Sequence, residues 1–129
     1  MSDMGIFRIS IAVENPTRRG TLREVTEVMV DTGAEYTWVS GAVLEDLGIG
    51  AERRVAFVTA DGRRIERSVG FANIHVAGTS APDIIVFAEP GDLMLLGARS
   101  LEGLNLRVDV TTKQLVPAGP VPAAVIRAA

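Results

Sequence analysis

The residues of this chain best suited to chemistry stand together at Asp31-Thr32-Gly33-Ala34. A carboxylate can act as a general base toward water, and the threonine hydroxyl beside it can both donate and accept hydrogen bonds. Gly33 allows either a positive φ or the close approach of another group, and the small Ala34 leaves space open. The pattern therefore predicts a tight loop that presents one carboxylate at the floor of a cleft.

One carboxylate activates water less well than two in contact. Two such groups share one proton, because their like charges cannot both persist a few Å apart. One member then acts as base toward water while the other donates a hydrogen bond to a substrate carbonyl. The motif occurs once in the chain, so we expect the second carboxylate from a second copy, with a two-fold axis bringing Asp31 against Asp31.

The elements that must position this loop are mostly strands. Apolar runs predict them at residues 5–13, 22–30, 36–39, 70–76 and 84–89 and at an apolar run into Gly97, with one hairpin over 53–69 and a closing hairpin around 111–113. A short helix is predicted at 41–47, with Ser40 as its N-cap, and a second one after Gly97 ends near Gly103. Many short strands with two short helices indicate a mostly β fold, a small barrel or sandwich.

Composition narrows the class of protein. The 129 residues contain no cysteine and carry a net charge of −3, which is typical of one globular domain without thiolate chemistry. The scattered basic residues give no nucleic-acid footprint, and no apolar run is long enough to span a bilayer. The N-terminal stretch lacks the pattern of a signal peptide. We therefore expect a cytoplasmic protein that binds neither nucleic acid nor membrane.

Two motifs carry a resemblance to a known family. Val30-Asp31-Thr32-Gly33-Ala34, and a second signature of two apolar residues, glycine and a short helix at Leu95-Leu96-Gly97-Ala98, resemble the retropepsin-like, or retroviral-type, aspartic proteases. The order of the elements is similar too, over roughly residues 5–116, most of all to the small single-domain prokaryotic members. The resemblance implies a small closed β-barrel of the acid-protease type with one or two short helices. It implies a protease domain at residues 1–116, followed by a Pro/Ala-rich tail at 117–129.

The resemblance also implies roles for the loop residues. Asp31 would be the catalytic aspartate of a homodimeric endopeptidase that hydrolyses polypeptides, with one Asp31 from each subunit. Thr32 would bond across the dimer axis, Gly33 would give backbone contact to the substrate, and Ala34 would support the loop. Gly97 would lie behind the loop, where a side chain would collide.

Further substrate contacts are implied outside the loop itself. Glu35 stands where viral relatives carry an aspartate that anchors the peptide backbone, and its extra methylene is a departure from them. Asp61 and Gly62 would form the tip of a flap that closes over an extended peptide. The chemistry would need no metal and no organic cofactor. The side chains that belong either to a pocket or to the core are Met29, Trp38, Val58 and Leu95.

Other interpretations remain open from the sequence. The Asp31 loop could be a simple strand-to-turn Asx motif, and the Asp61-Gly62 hairpin could be an ordinary surface turn. His75, the one histidine, has no nucleophile in a recognisable setting beside it, so a satisfied structural histidine is favoured over a triad. The alternative function is a catalytically idle peptide-binding or dimerisation module with the same fold.

Overall fold

The computed structural model describes residues 7–124, which form nine strands and two short helices. None of the described helices is long and apolar enough to cross a membrane. In chain order the elements are β1 (Phe7–Glu14), β2 (Leu22–Val30), β3 (Thr37–Ser40), α1 (Gly41–Asp46), β4 (Arg53–Val58), β5 (Arg64–Val76), β6 (Thr79–Ala88), β7 (Leu95–Leu96), α2 (Ala98–Leu104), β8 (Leu106–Asp109) and β9 (Gln114–Pro117).

Six of these strands close into a ring. Neighbours follow the order β1-β2-β7-β3-β6-β5, and the pairing of β5 with β1 returns to the start. The β2–β7 and β3–β6 pairs are parallel, and the other pairs of the ring are antiparallel. Among the described strands β4 pairs with β5 alone, and β8 and β9 form a separate two-stranded sheet. The mostly β, retropepsin-like ring with two short helices is the predicted fold class, which is confirmed.

The ring encloses one apolar core because apolar and polar residues alternate along its strands. In β1, Ile11 and Val13 are buried, while Arg8 and Ser10 on the other face are exposed. Each fully buried aliphatic side chain stabilises the folded state by about 1.5–3 kcal/mol. The largest of them are Leu44, Ile74, Ile85 and Leu96.

Both helices are short and end where the backbone turns left-handed. Gly48 follows α1 with a φ of 75°, and Asn105 follows α2 with a φ of 54°. Such a residue just past a helix end is a common terminator. Ser40 stands at the predicted N-cap position of α1, but its side chain makes no capping hydrogen bond.

Two strands extend further than predicted. The end of the hairpin and the separate strand expected at residues 70–76 form the single strand β5. Gly70 does not interrupt it; a Cβ there would lie 3.1 Å from Phe87 Cε1, so this glycine marks close packing. β6 begins at Thr79, earlier than predicted, because Ala77 and Gly78 form a tight turn with φ values of 53° and 79°.

Glu14 is a buried carboxylate at the end of β1, 2% exposed. It accepts hydrogen bonds from Gly20 N at 2.6 Å, His75 Nε2 at 3.0 Å, Asn73 Nδ2 at 3.1 Å and Arg19 Nε at 3.2 Å. The hydrogen bond from the Gly20 N–H, and to a smaller extent those from His75 and Asn73, lower the pKa of Glu14 from 4.5 to about 2. The one histidine of the chain therefore serves this cluster, which ties β1 to β5.

We expect the Glu14 cluster to make stability depend on acid pH. Because the pKa of Glu14 falls on folding, its contribution is fully present above 4.5 and is lost as the pH falls toward about 2. The free energy of unfolding, obtained from urea denaturation between pH 5 and pH 2, should fall more steeply for the natural chain than for Glu14→Gln. The difference in slope should correspond to at most about one bound proton. Glu24→Gln, which changes an exposed carboxylate of β2, is the matched control. Equal slopes for the two variants would contradict the assignment.

Candidate active site

The Asp31 loop is a tight turn at the end of β2. Val30 is fully buried and ends the strand, and Asp31, the next residue, is half-buried. Gly33 N donates to Asp31 Oδ1 at 2.9 Å, and Ala34 N donates to Asp31 O at 3.2 Å. These bonds close the turn and hold the carboxylate against its own loop, which is the Asx geometry available to an aspartate at a strand end.

Gly33 suits this turn because the Asp31 carboxylate approaches it closely. Its φ is not among the left-handed values of the described residues, so the first of the two roles predicted for this glycine is wrong. A Cβ at Gly33 would lie 3.2 Å from Asp31 Oδ1. The absence of a side chain therefore leaves the Asp31 carboxylate free to sit over the Gly33 amide.

The segment from Leu96 to Arg99 lies directly behind the loop and is hydrogen-bonded to it. Asp31 N donates to Leu96 O at 3.0 Å, Ala98 N donates to Ala34 O at 2.8 Å, and Arg99 N donates to Glu35 O at 3.0 Å. The two predicted signatures of the sequence are therefore in direct contact. Because the loop directly follows β2 and the segment begins at the end of β7, both strands of the ring, the loop has little freedom to shift.

Gly97 lies at the tightest point of this contact. A Cβ there would lie 2.6 Å from the carbonyl carbon of Tyr36 and 3.0 Å from Ala34 O. Real Cβ atoms do not approach backbone atoms so closely, so only glycine fits without movement of the chain. The collision expected for a side chain at this position is present in the geometry.

A cleft of about 380 Å³ opens in front of Asp31. Loop residues and the strands on either side form its floor, and the β4–β5 hairpin covers it. The lining residues are Asp31, Gly33, Ala34, Glu35, Tyr36, Trp38, Phe57, Val58, Thr59, Ala60, Ile65 and Leu95. Four side chains were predicted to belong either to a pocket or to the core. Of these, Trp38, Val58 and Leu95 line the cleft, and Met29 does not.

A larger cavity of about 460 Å³ lies between α1 and the end of β6. Its lining includes Glu45, Glu89 and Phe87 but none of the Asp31 loop. Within residues 7–124 no group of three or more His, Asp or Glu side chains is arranged to hold a metal ion. The smaller cleft is therefore the candidate site, because it joins an oriented carboxylate to an apolar wall.

Three aromatic residues form that wall. Phe57, on β4 of the hairpin, packs against Trp38 with ring centroids 5.0 Å apart and meets Tyr36 edge-on at 5.8 Å. Arg99 Cζ lies 5.6 Å from the centroid of Tyr36, within cation–π range. Neither Tyr36 nor Phe57 was predicted to belong to the site. The alternation of Tyr36 and Trp38 just after the loop was the one signal available for the first of them.

The hairpin tip is held together by its own side chains. Thr59 Oγ1 donates to Asp61, and Arg63 Nε bonds Asp61 Oδ2 at 3.0 Å. The Thr59 hydroxyl, and next the Arg63 side chain, lower the pKa of Asp61. Gly62 takes a φ of 86°, as the turn requires. The predicted hairpin is therefore present, but the cleft is lined by Thr59 and its neighbours, and not by Asp61 or Gly62.

The remaining predicted residues fall at the edge of the cleft. Glu35 is exposed and lines the cleft. Thr32 is exposed at the outer side of the loop, and none of the hydrogen bonds between described residues uses its side chain. Both residues are therefore exposed in the single chain.

The chain thus combines a ring of strands, a DTGA loop hydrogen-bonded to the Leu96–Arg99 segment, and a hairpin over the cleft. The sequence profile of the gag-polyprotein aspartyl proteases, the retroviral type, matches residues 23–103, and the chain belongs to this family. Among solved structures the chain is similar to the solution structure of the simian foamy virus (mac) protease, with a TM-score of 0.50 and 21% identity. The match covers 74% of this chain and 92% of that one. No curated protein matches the chain.

Proposed function

We propose that this chain is an aspartic endopeptidase that acts as a homodimer, with one Asp31 from each subunit in the catalytic dyad. The observation that carries the proposal is the position of Asp31, which is oriented by its own loop at the floor of an aromatic-walled cleft. The family assignment supports peptide hydrolysis as the chemistry. The motif occurs once, so a dyad requires a second chain.

In this mechanism the two Asp31 carboxylates share a proton and bind one water between them. The ionised member takes a proton from the water as it attacks the scissile carbonyl, and the protonated member donates a hydrogen bond to the carbonyl oxygen. The tetrahedral intermediate collapses when the leaving nitrogen receives a proton from the dyad. No covalent acyl-enzyme forms, and the reaction uses no metal or organic cofactor.

The neighbouring residues would bind the substrate and complete the dimer. Thr32, exposed on the loop, would bond to the partner's loop across the two-fold axis. Gly33 and Glu35 would contact the substrate backbone, the latter from the cleft edge. Asp61 and Gly62 would reach the peptide once the hairpin moves toward it. An extended peptide would then lie as an added strand, with alternate side chains in pockets.

We further propose that residues 1–116 form the protease domain and 117–129 a tail. Pro117 is the last residue of β9, and the chain beyond it is still tied down: Ala118 N donates to Asn105 O and Asn105 Nδ2 to Gly119 O, both at 2.9 Å. The start of the tail is therefore anchored beside α2. A chain without cysteine suits a reducing compartment, so we propose the cytoplasm.

A mixing experiment tests whether the site is shared. The natural chain is combined with a tenfold excess of Asp31→Asn chain, and cleavage of a peptide library is followed. If subunits exchange and each site needs both carboxylates, most natural chains enter mixed dimers and activity falls roughly tenfold by mass action. The same excess of Asp46→Asn chain, altered at an exposed α1 side chain, should add activity instead. Undiminished cleavage in the first mixture would contradict the shared site.

A further inference from the structure

Buried polar side chains behind the Asp31 loop form a continuous chain of hydrogen bonds. Gly97 N donates to Thr37 Oγ1 at 2.9 Å, Thr37 Oγ1 lies 2.5 Å from Ser100 Oγ, and Ser100 Oγ donates to Asp83 Oδ2 at 2.7 Å. Thr37 is 0% exposed and Ser100 is 1% exposed. The mechanism above uses none of these three side chains.

The direction of this chain follows from its two ends. A backbone N–H can only donate, and a carboxylate can only accept. Ser100 uses its one proton toward Asp83, so the hydroxyl of Thr37 must donate to Ser100 and accept from Gly97. Every hydroxyl is then satisfied, and each bond polarises the next. Each of the two hydroxyl groups therefore has only one direction in which it can donate its proton.

The chain fixes three elements against the segment that supports the catalytic loop. Thr37 begins β3, Ser100 lies in the first turn of α2, and Asp83 belongs to β6. Thr37 connects them to Gly97. The residues that flank Gly97 accept a hydrogen bond from Asp31 N and donate one to Ala34 O. A shift at Gly97 would therefore pass directly into the loop that carries the Asp31 carboxylate.

We propose that Thr37, Ser100 and Asp83 are positioning residues, whose hydrogen-bonded chain holds Gly97 against the Asp31 loop and so orients the catalytic carboxylate. The inference rests on the proposed function for its catalytic part. An apolar side chain of the same shape could fill the Thr37 site, but it would leave the Gly97 N–H buried without an acceptor. The polar chain thus does something that packing alone does not: it defines where the Gly97 backbone sits.

Thr37→Val tests the proposal, because valine keeps the shape and removes the hydroxyl. Amide hydrogen exchange at Gly97 and Ala98 should accelerate at least roughly tenfold, while Val13 and Ile74 in the ring exchange as before. On a cleaved peptide, kcat should fall roughly ten- to a hundredfold with little change in KM. Thr37→Ser, which restores the hydroxyl, should recover most of both. Thr26→Val, the same change at an exposed site of β2, is the control.

Different results separate the two proposals. Unchanged exchange at Gly97, or equal acceleration at Ile74, would overturn the positioning role, since the effect would be absent or global. Local acceleration with kcat equal to that of the control would also overturn it. A natural chain that cleaves no peptide would overturn the proposed function and the catalytic part of the positioning proposal. Faster amide exchange confined to Gly97 and Ala98 in Thr37→Val would even then support the structural part, in which the hydrogen-bonded chain fixes Gly97. Ser100→Ala, which removes the next member of the chain, gives the same readouts should Thr37→Val fail to fold.

Discussion

Asp31→Asn should abolish peptide hydrolysis while leaving the fold and the association of subunits intact. Asparagine has the shape of aspartate and can still accept the hydrogen bond from Gly33 N, which lies 2.9 Å from Asp31 Oδ1. It cannot take a proton from water, so the general base is lost, and we expect a decrease in kcat of at least about a thousandfold. Cleavage of a peptide library by equal amounts of the two chains, with circular dichroism and sedimentation as checks, measures the effect.

The same variant separates the endopeptidase from its rivals. Asp46→Asn changes an exposed carboxylate of α1 and should retain full activity. Peptide binding without turnover, equal in the natural chain and in Asp31→Asn, would favour the idle binding module. A variant that cleaves at the natural rate would remove Asp31 from the mechanism.

The second large effect is expected at Gly97. Gly97→Ala places a methyl carbon 2.6 Å from the Tyr36 carbonyl carbon and 3.0 Å from Ala34 O. Both contacts are backbone atoms, so relief requires the loop to move. We expect a loss of stability of about 3 kcal/mol, at the upper end of typical overpacking costs. Peptide cleavage should be lost in whatever fraction remains folded. Urea denaturation and cleavage at matched folded concentrations measure the two effects.

Gly103, inside the helix α2 that follows Gly97, provides a control. A Cβ at Gly103 would meet Ala81 Cβ at 3.5 Å, an ordinary contact. Gly103→Ala should therefore be neutral or stabilise the chain by up to about 1 kcal/mol, as alanine does inside helices. If Gly97→Ala proved as stable as Gly103→Ala, the tight contact behind the loop would not exist in solution.

Local patterns predicted the parts of the molecule that depend on neighbouring residues. β2 was predicted at residues 22–30 and lies there, because its end is marked by the change from apolar side chains to the DTGA turn. The Asp61-Gly62 turn was predicted from two residues, since a φ of 86° at Gly62 suits glycine. The contact between the Asp31 loop and the Gly97 segment followed from the family resemblance and not from local chemistry.

The features that were missed depend on which strands become neighbours. Phe57 and Trp38 meet through the folding of the hairpin over β3, and no spacing in the sequence indicates that contact. Thr37 and Ser100 are 63 residues apart. In the sequence each is an ordinary small polar residue, and only the packing of α2 near β3 brings the two hydroxyls together. Gly33 was given two possible roles because a glycine in a turn can serve either conformational freedom or close approach. Sequence alone does not separate them.

The partners of the Asp31 loop are separated from it by a long stretch of sequence. Gly97 bonds to Thr37 at a sequence separation of 60 residues, and the amides of Ala98 and Arg99 bind the carbonyl oxygens of Ala34 and Glu35. During synthesis the ribosome therefore releases the aspartate long before the segment that orients it. A nascent or truncated chain that ends ahead of this segment therefore has the acid but lacks the backbone partners that hold its loop.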